Sequence, residues 1–372
     1  MRGRVAILGA GGFVGARLLE RAVLEGDHDV IPVARALRSV GRNAHLGVSY
    51  RLGDASRPES LARAIEGCDV VVDLTKGDAA TILRTTQSVQ AAASAVGARL
   101  VIHLSSAVVY GTVDVPDLPD DALPLADHRS LYAREKSLAE SFLRERMTDR
   151  RLAIVVLRPS LIWGPGSPYV FGTASGLLRG SAYLVGGGAG ICNLMHVDNL
   201  VQSIRAVIAR PNVASGFYHV SDDGITTWRD FYLAIASGIG VDASTIHTIP
   251  DGEYRAGIRD RLQDFQSSGA YRWLKDRVPL ETREAIKRRL RRGPADGLTL
   301  VGGRAARPAV TRELWELQRT RYGLPTEHFR STFGHHNPVT FESGMAGSLA
   351  WLRFIGAVRG DAPATALASA SG

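Results

Sequence analysis

The chain has 372 residues, of which 45% are hydrophobic, and a formal net charge of +8. This length predicts about two or three domains, and no apolar run reaches the roughly 18 residues of a transmembrane helix. Its two cysteines, Cys68 and Cys192, lie far apart, which excludes a disulfide framework and a metal-binding spacing and favours a reducing cytoplasm. The charge suits an anionic cofactor or substrate, and without a zinc-finger or aromatic–basic motif we expect no nucleic-acid partner.

The N-terminal segment has the pattern of a strand, a glycine turn and a helix. Residues 5–8 are apolar, Gly9, Gly12 and Gly15 follow, and residues 16–24 have helical periodicity. Glycine allows the dihedral angles of a tight turn and a close approach of backbone to ligand, and a helix N-terminus offers free N–H groups. The pattern predicts a pyrophosphate site, although a glycine motif alone is weak evidence.

The second predicted strand, residues 30–34, ends without a carboxylate. In a dinucleotide-binding fold an acid here would bind the ribose 2′-hydroxyl of NAD and repel the 2′-phosphate of NADP. Arg35 and Arg38 follow instead, and guanidinium groups suit phosphate. We therefore predict NADP as the cofactor, with NAD as the alternative. The competing interpretation is that both arginines occupy an exposed loop.

Strands and helices alternate through the first hundred residues. Predicted strands at 48–52, 68–74 and 100–104 are separated by turns and by a helix at 79–96. This alternation predicts a doubly wound parallel sheet, in which ligands bind beyond the carboxyl ends of the strands. Asp54 follows the third strand, where it would accept a hydrogen bond from the adenine amino group. Its alternative role is that of a turn or helix N-cap aspartate.

A group of hydroxyl, phenol and ammonium side chains follows the fifth strand. Ser105 and Ser106 lie at its end, and a predicted helix from residue 130 to about 147 contains Tyr132 and Lys136. Residues four apart share a helix face, and an ammonium beside a phenol lowers the phenol pKa toward neutrality. Such a tyrosine serves as general acid or base, while a serine hydroxyl holds the substrate oxygen. A Tyr–Lys pair alone is more commonly a solvated helix face.

At this point the sequence resembles the extended short-chain dehydrogenase/reductases of the NAD-dependent epimerase/dehydratase superfamily. Five motifs within about residues 1–240 carry the resemblance: the glycine turn 9–15, the serine strand 103–111, Tyr132-x-x-x-Lys136, Leu157-Arg158-Pro159 with Gly164-Pro165-Gly166, and His196-Val197-Asp198-Asn199. The resemblance implies Tyr132 as acid/base, Lys136 as its partner and ribose anchor, and Ser106 as the ligand of the substrate oxygen. Ser106 is preferred to Ser105 because it directly precedes Ala-x-x-Tyr-Gly.

The resemblance also implies a Rossmann-type doubly wound parallel sheet with a smaller C-terminal α/β substrate domain. We predict that residues 1–165, with 191–222 returning to them, bind the cofactor, that 166–190 and 223–358 bind the substrate, and that 359–372 form a disordered tail. The expected cofactor contacts are Gly9, Gly12, Phe13, Val14, Gly15, Arg35, Asp54, Leu74, Thr75, Tyr132, Lys136 and Pro159. Sugar dehydratases of the family have Asp-Glu after the catalytic hydroxyl residue, and Ala107-Val108 in this position disfavours dehydration.

The second half of the chain yields expectations about the substrate side. We expect a cleft-lining loop at 167–173, a hairpin with a glycine turn at 183–196, and a final strand and helix at 339–352. The predicted strand at 216–221 and capped helix at 226–236 lie between them. We predict a small lid packed by Trp315, Phe329, Phe333 and Phe341. We interpret the segment from His196 to Asn199 as the cap of a helix at 200–209 rather than as catalytic, with Asp198 or Asn199 near the N-cap.

The basic segment 285–292 has two interpretations: a solvated helix face, or a surface for a nucleotide diphosphate, another subunit or a membrane.

These features predict an oxidoreductase or epimerase that acts on a hydroxyl or ketone of a sugar, expected to be nucleotide-linked. The alternative within the enzyme class is an NADPH-dependent reductase of a steroid-like or flavonol-like ketone. A third hypothesis is a cofactor-binding regulatory protein without catalysis, against which the complete set of Ser106, Tyr132 and Lys136 argues. We expect a small-molecule substrate and a homodimer.

Overall fold

The protein is described by a computed structural model. The structure describes residues 3–26, 29–36, 40–76, 79–111, 119–124, 128, 130–252, 254, 308 and 310–358. Arg38, the basic segment 285–292 and the predicted tail 359–372 lie outside these residues.

Seven parallel strands form the central sheet, in the order β10-β6-β5-β4-β1-β2-β3. They are β1 (Arg4–Leu8), β2 (Asp29–Ala34), β3 (Arg51–Leu52), β4 (Val70–Asp73), β5 (Leu100–Leu104), β6 (Ala153–Pro159) and β10 (Gly216–Val220). The strand order reverses between β1 and β4, which places a ligand crevice at the carboxyl ends of these two strands. The predicted Rossmann-type, doubly wound sheet is confirmed.

Helices cover both faces of the sheet. One face packs against α1 (Phe13–Glu25) and α6 (Val197–Ala209), and the other packs against α2 (Pro58–Ala64), α3 (Ile82–Ala95) and α4 (Leu131–Arg146). The buried strands are continuous apolar runs because both of their faces lie against helices. This packing fixes the carboxyl ends of β1, β4, β5 and β6 side by side at one edge.

A second apolar cluster lies beyond that edge. It joins α5 (Pro168–Leu178), α7 (Trp228–Gly238) and α10 (Phe341–Phe354) to two small parallel sheets. The sheets pair β7 (Leu161–Trp163) with β9 (Leu194–His196), and β8 (Tyr183–Val185) with β11 (His247–Ile249). Two further helices, α8 (Arg312–Leu317) and α9 (Glu327–Phe333), complete the described C-terminal part.

Two predictions for this region are wrong. The expected loop 167–173 is the start of α5, because the Ser167 side chain caps the helix and Pro168 favours its first turn. The expected hairpin 183–196 does not form, since β8 and β9 each pair in parallel with a strand from elsewhere in the chain. The glycines at 186–188 form a short 3₁₀ turn between the two sheets.

The predicted aromatic lid is also wrong. Phe329 and Phe333 pack in the core of the central sheet, whereas Trp315 packs with Tyr183 and Val185. Phe341 lies against Trp163, with ring centroids 5.5 Å apart. The aromatic residues therefore belong to three clusters, because sequence proximity does not determine which core a side chain enters.

The C-terminal segment is tied to α6 through one amide side chain. Asn199 donates a hydrogen bond to the Val339 carbonyl and accepts one from the Val339 N–H, each 2.9 Å long. The strand predicted from residue 339 is therefore wrong, because Val339 pairs with a side chain and Thr340 already caps α10, whereas the predicted final helix is present. The cap of α6 is His196, whose ring nitrogen accepts a hydrogen bond from the Asp198 N–H. The structural interpretation of this motif is confirmed, with the cap two residues earlier than expected for Asp198.

None of the helices in the described residues has the length and hydropathy that a membrane span requires.

Candidate active site

The glycine turn leaves room and donors for a pyrophosphate. A Cβ at Gly15 would overlap the carbonyl oxygen of Gly9, and one at Gly9, whose φ is +78°, would lie 2.8 Å from the Leu74 carbonyl. Helix α1 begins at Phe13, and no side chain caps its N-terminal N–H groups. Free N–H groups at a helix N-terminus bind anions. The turn therefore fits the phosphates of a dinucleotide, as predicted for Gly9, Gly12, Phe13, Val14 and Gly15.

Arg35 and Asp54 lie together beyond the ends of β2 and β3. The side chain of Arg35 is exposed, and its charge helps to lower the pKa of Asp54. The larger causes are hydrogen bonds from Ser56, whose N–H and hydroxyl lie 3.0 and 2.8 Å from the Asp54 carboxylate. Asp54 is thus a turn aspartate in the structure. The contact of Asp54 with adenine and the contact of Arg35 with a 2′-phosphate both remain predictions.

Three further predicted cofactor contacts follow strands of the same sheet edge. Leu74 and Thr75 come directly after β4, and Pro159 ends β6. Thr75 donates its N–H and its hydroxyl to the carboxylate of Asp73, at 3.1 and 2.5 Å. The buried carboxylate of Asp73 therefore stabilises the turn after β4, and our sequence analysis did not predict this role.

Ser106 and Tyr132 are brought together at the end of β5. Ser106 follows the strand and caps a short 3₁₀ turn, while Tyr132 lies in the first turn of α4, whose N-cap is Ser130. The Ser106 hydroxyl lies near enough to the Tyr132 phenol to lower its pKa. Burial acts more strongly in the other direction, so the pKa of Tyr132 is raised to about 12. A phenol with this pKa is protonated at neutral pH.

Lys136 lies one turn further along α4 and is buried. Its ammonium donates a 2.6 Å hydrogen bond to the carbonyl of Leu104, the last residue of β5. Burial lowers the pKa of Lys136, and the charges of Asp73 and Glu140 oppose this shift. Lys136 is not among the groups that shift the pKa of Tyr132. The Tyr132 shift is therefore opposite to the predicted one, because burial and the charges of Tyr169 and Glu313 all raise the pKa, and the opposing effect of Ser106 is smaller.

Two buried pairs lie under this edge, and sequence reasoning missed both. His103 and Asp73 form a contact of 2.9 Å between Nδ1 and Oδ2, and Arg158 forms an ion pair with Glu140 in which neither side chain is exposed. Glu140 also accepts a hydrogen bond from the Ser105 hydroxyl. A usable signal existed: Glu140 follows Lys136 by four residues, and so the two share a face of α4.

A cavity of about 330 Å³ lies between α5, α7 and α8, and Tyr132 is not part of its described lining. Its walls are mainly aromatic and apolar, and they include Tyr169, Thr173, Tyr183, Trp228, Tyr232 and Leu317. Tyr169 and Glu313, which both line it, raise the pKa of Tyr132 and hence lie close to it. On another side, the Lys76 ammonium lies 5.6 Å from the centre of the Tyr132 ring. No pattern in the sequence predicts that Tyr169, Glu313 and Lys76 lie around this phenol.

Comparisons with known proteins find relatives among reductases and epimerases. A 2-alkyl-3-oxoalkanoate reductase of Shewanella oneidensis is 27% identical over 245 residues, which are 58% of this chain and 61% of the relative. An N-acetyl-alpha-D-glucosaminyl-diphospho-ditrans,octacis-undecaprenol 4-epimerase of Escherichia coli O157:H7 is 29% identical over 58% of this chain and 66% of its own length. The match thus spans less than two thirds of either relative.

The fold also matches solved structures. A dTDP-glucose 4,6-dehydratase from Bacillus anthracis, solved in complex with NAD, superimposes with a TM-score of 0.67 at 16% identity, covering 95% of this chain and 97% of that one. The model of the NAD dependent epimerase/dehydratase family matches residues 5–220, more than half of the chain. The glycine turn, the serine strand and the Tyr132–Lys136 helix all lie within that match, and the chain belongs to the NAD-dependent epimerase/dehydratase family.

Proposed function

We propose that the protein is an NAD(P)-dependent oxidoreductase that acts on a hydroxyl or ketone. The observation that supports this most directly is the proximity of Ser106, at the end of β5, to Tyr132, in the first turn of α4, at the sheet edge where the glycine turn opens. A nicotinamide bound at this edge supplies the acceptor or donor of hydride. Cofactor contacts at the predicted residues, the division into cofactor segments 1–165 and 191–222 and substrate segments 166–190 and 223–358, and a homodimer are parts of the same proposal.

The side chains have distinct roles in this proposal. Tyr132 gives a proton to the substrate oxygen in reduction and removes it in oxidation, and Ser106 donates a hydrogen bond to the same oxygen. Lys136 anchors the cofactor ribose. Because the raised pKa keeps Tyr132 protonated at neutral pH, the site is suited to donate a proton, which favours ketone reduction.

The cavity beside Tyr132 favours a ketone on an apolar scaffold. Its described lining contains one carboxylate, Glu313, and no lysine or arginine. A nucleotide diphosphate needs cationic partners, and burying it against a carboxylate is unfavourable. Aromatic and aliphatic walls instead stabilise apolar surface removed from water. The similarity to an oxoalkanoate reductase supports reduction of a ketone, and the steroid-like or flavonol-like ketone is the alternative that suits this cavity.

The second candidate is a sugar epimerase or dehydrogenase with a nucleotide-linked substrate. Its support is the similarity to an epimerase of a diphosphate-linked sugar. Dehydration is disfavoured in both cases, because Ala107 and Val108 cannot exchange protons with a substrate.

The purified protein, incubated with NADPH or NADH, tests the proposal against apolar ketones and nucleotide sugars. We expect one NADPH consumed for each apolar ketone reduced. Turnover of a nucleotide sugar without net cofactor consumption would favour the epimerase. With the substrate found, Tyr132→Phe should lower turnover by about 10²- to 10⁴-fold while the cofactor Kd stays unchanged. The control is Tyr50→Phe, remote in sequence from the motifs, and equal turnover in Tyr132→Phe and wild type would refute the proposed chemistry.

A further inference from the structure

We propose that Asp73 is a positioning residue: oriented by His103, its buried carboxylate holds the Thr75 turn in place and keeps the Lys136 ammonium charged at the cofactor edge. The inference extends the proposed function, on which the role of Lys136 rests. It concerns a pair of side chains on two neighbouring strands, neither of which belongs to the Ser106, Tyr132 and Lys136 set.

Strand register brings the pair together. Asp73 and His103 are partners across β4 and β5, so their side chains leave the sheet on the same face. Asp73 Oδ2 lies 2.9 Å from His103 Nδ1, while Oδ1 accepts both hydrogen bonds from Thr75. Only 1% of the Asp73 side chain and 3% of the His103 side chain are exposed. Both carboxylate oxygens are thus occupied, and the acid has one defined orientation.

The balance of charges identifies Asp73 as the main counter-charge of Lys136. The Lys136 ammonium donates a hydrogen bond to the carbonyl of Leu104, the residue after His103, which places it at the end of the strand that pairs with Asp73. The charged groups that act on it are Asp73, Glu140 and Lys76, of which Lys76 opposes its protonation. Glu140 is already neutralised by Arg158, whose guanidinium donates three hydrogen bonds to it. Asp73 has no such partner, because its neighbour is an imidazole rather than a guanidinium. A buried ammonium needs an anion close by to remain charged.

His103 is neutral in this arrangement. Burial and the charge of Lys136 lower its pKa, against the opposing effects of Asp73 and Glu140. Since a carboxylate only accepts hydrogen bonds, Nδ1 carries the proton, and Nε2 is left buried without a hydrogen-bond partner among the described residues. His103 therefore orients Asp73 without cancelling its charge, which stays available to Lys136.

The competing explanation is purely structural: Asp73 stabilises the turn after β4 and its charge does not matter. Asp73→Asn separates the two explanations. The asparagine oxygen still accepts from Thr75, and its amide donates to His103 in the other tautomer, so the shape is kept while the charge is removed. His103→Asn is the matched control, because its amide takes the place of Nδ1–H and Asp73 stays charged.

The test is a double-mutant cycle in urea unfolding, with wild type, Asp73→Asn, Lys136→Met and the double variant. We expect Asp73→Asn to lower the unfolding midpoint of the wild type, but to leave it unchanged or raise it in the Lys136→Met background, where no ammonium remains to be neutralised. An equal loss in both backgrounds would overturn the inference. This readout needs neither cofactor nor substrate, so it is independent of the proposed function.

Turnover against pH gives a second readout. Without the Asp73 charge, Lys136 loses its proton at lower pH, so the alkaline limb of the profile should move down by about one unit or more in Asp73→Asn and stay in place in His103→Asn. A shift of the same size in both variants contradicts the proposal. Absence of any cofactor binding by the wild type would count against the proposed function alone.

Should Asp73→Asn fail to fold, the wild type itself provides the measurement. Long-range ¹H–¹⁵N NMR spectra of the histidine rings are expected to show His103 neutral, with its proton on Nδ1, from pH 6 to 8. A doubly protonated His103 in this range would neutralise Asp73 and overturn the inference.

Discussion

The two sides of Tyr132 differ in the number of buried polar and charged side chains they contain. Toward the sheet, acids and bases are buried in pairs: Asp73 with His103, and Glu140 with Arg158. Toward α5, α7 and α8, the cavity wall is aromatic and apolar, with Glu313 as the carboxylate among its described lining. The phenol thus lies between a buried polar network and a cavity that offers few polar partners to a bound molecule.

This difference separates two tasks. Buried charges need fixed partners, so the polar side can hold a cofactor and a proton donor in one geometry only. An apolar wall selects mainly by volume and shape, and hence can change its substrate without disturbing the chemistry. Variants on the polar side should therefore cost stability and turnover, whereas variants on the cavity side should alter selectivity and pH dependence.

The largest expected effect is on the stability of the polar side. Arg158→Met leaves the Glu140 carboxylate buried without its partner, and should lower the free energy of unfolding by about 3–5 kcal/mol in urea titrations. Arg151→Met, which removes an exposed ion pair with Asp149, is the control and should unfold like the wild type. A loss below about 1 kcal/mol for Arg158→Met would show that the network is not what holds α4 to the sheet.

The glycine turn should respond next. In Gly15→Ala the new methyl group overlaps the Gly9 carbonyl, which belongs to the backbone and cannot move cheaply. We expect the Kd for the nicotinamide cofactor, measured by fluorescence or calorimetry, to rise at least about tenfold. Gly41→Ala adds the same methyl group where no atom lies within 4 Å and should bind as the wild type does. Equal affinities in the two variants would remove the turn from the proposed site.

Cofactor choice gives a smaller effect. Arg35→Ala removes a charge-assisted contact with a 2′-phosphate, so the Kd for NADP should rise by about tenfold and that for NAD by less than about twofold. Arg57, which is exposed and also lies near Asp54, provides the control Arg57→Ala. Parallel losses for both cofactors in Arg35→Ala would contradict the predicted preference for NADP.

The smallest effect is expected on the cavity side. The charge of Glu313 raises the pKa of Tyr132, so Glu313→Gln should lower it and move the corresponding limb of the turnover profile to lower pH by less than about one unit. Since Glu313 is exposed, this shift should shrink in 1 M salt. The same charge change in Glu327→Gln, on α9, is not expected to move the profile. A shift toward higher pH would show that Glu313 does not face the phenol.

Sequence reasoning succeeded where local signals and strand alternation decide the structure. The glycine turn, β5 and the helix with Tyr132 follow from periodicity and propensity over a few residues. It failed where distant partners decide the structure. β8 and β9 follow each other in the sequence and were therefore predicted to pair as a hairpin, but β8 pairs with β11 and β9 pairs with β7.

The site shows the same limit in finer detail. Tyr132 and Ser106 were predicted from their positions relative to a strand end and a helix start. The direction of the Tyr132 pKa shift was not, because it depends on burial of the phenol and on the charges of Tyr169 and Glu313, of which Glu313 lies 181 residues further along the chain. Electrostatic effects of this kind require the distances between side chains, and a sequence pattern does not contain them.

The two hydrogen bonds between the Asn199 side chain and the Val339 backbone have a consequence for the order of folding. The partners are 140 residues apart, and Phe329 and Phe333 enter the core of the central sheet from the same late part of the chain. Contacts of such sequence separation form late, because the loop between them must first be closed. During synthesis, until residue 339 has been added, the Asn199 side chain lacks both of its bonds to Val339 and keeps only the one to Asp222, and the part of the central core that Phe329 and Phe333 fill is uncovered until the chain reaches them. A nascent chain stalled before that point should bind chaperones that a completed chain no longer binds.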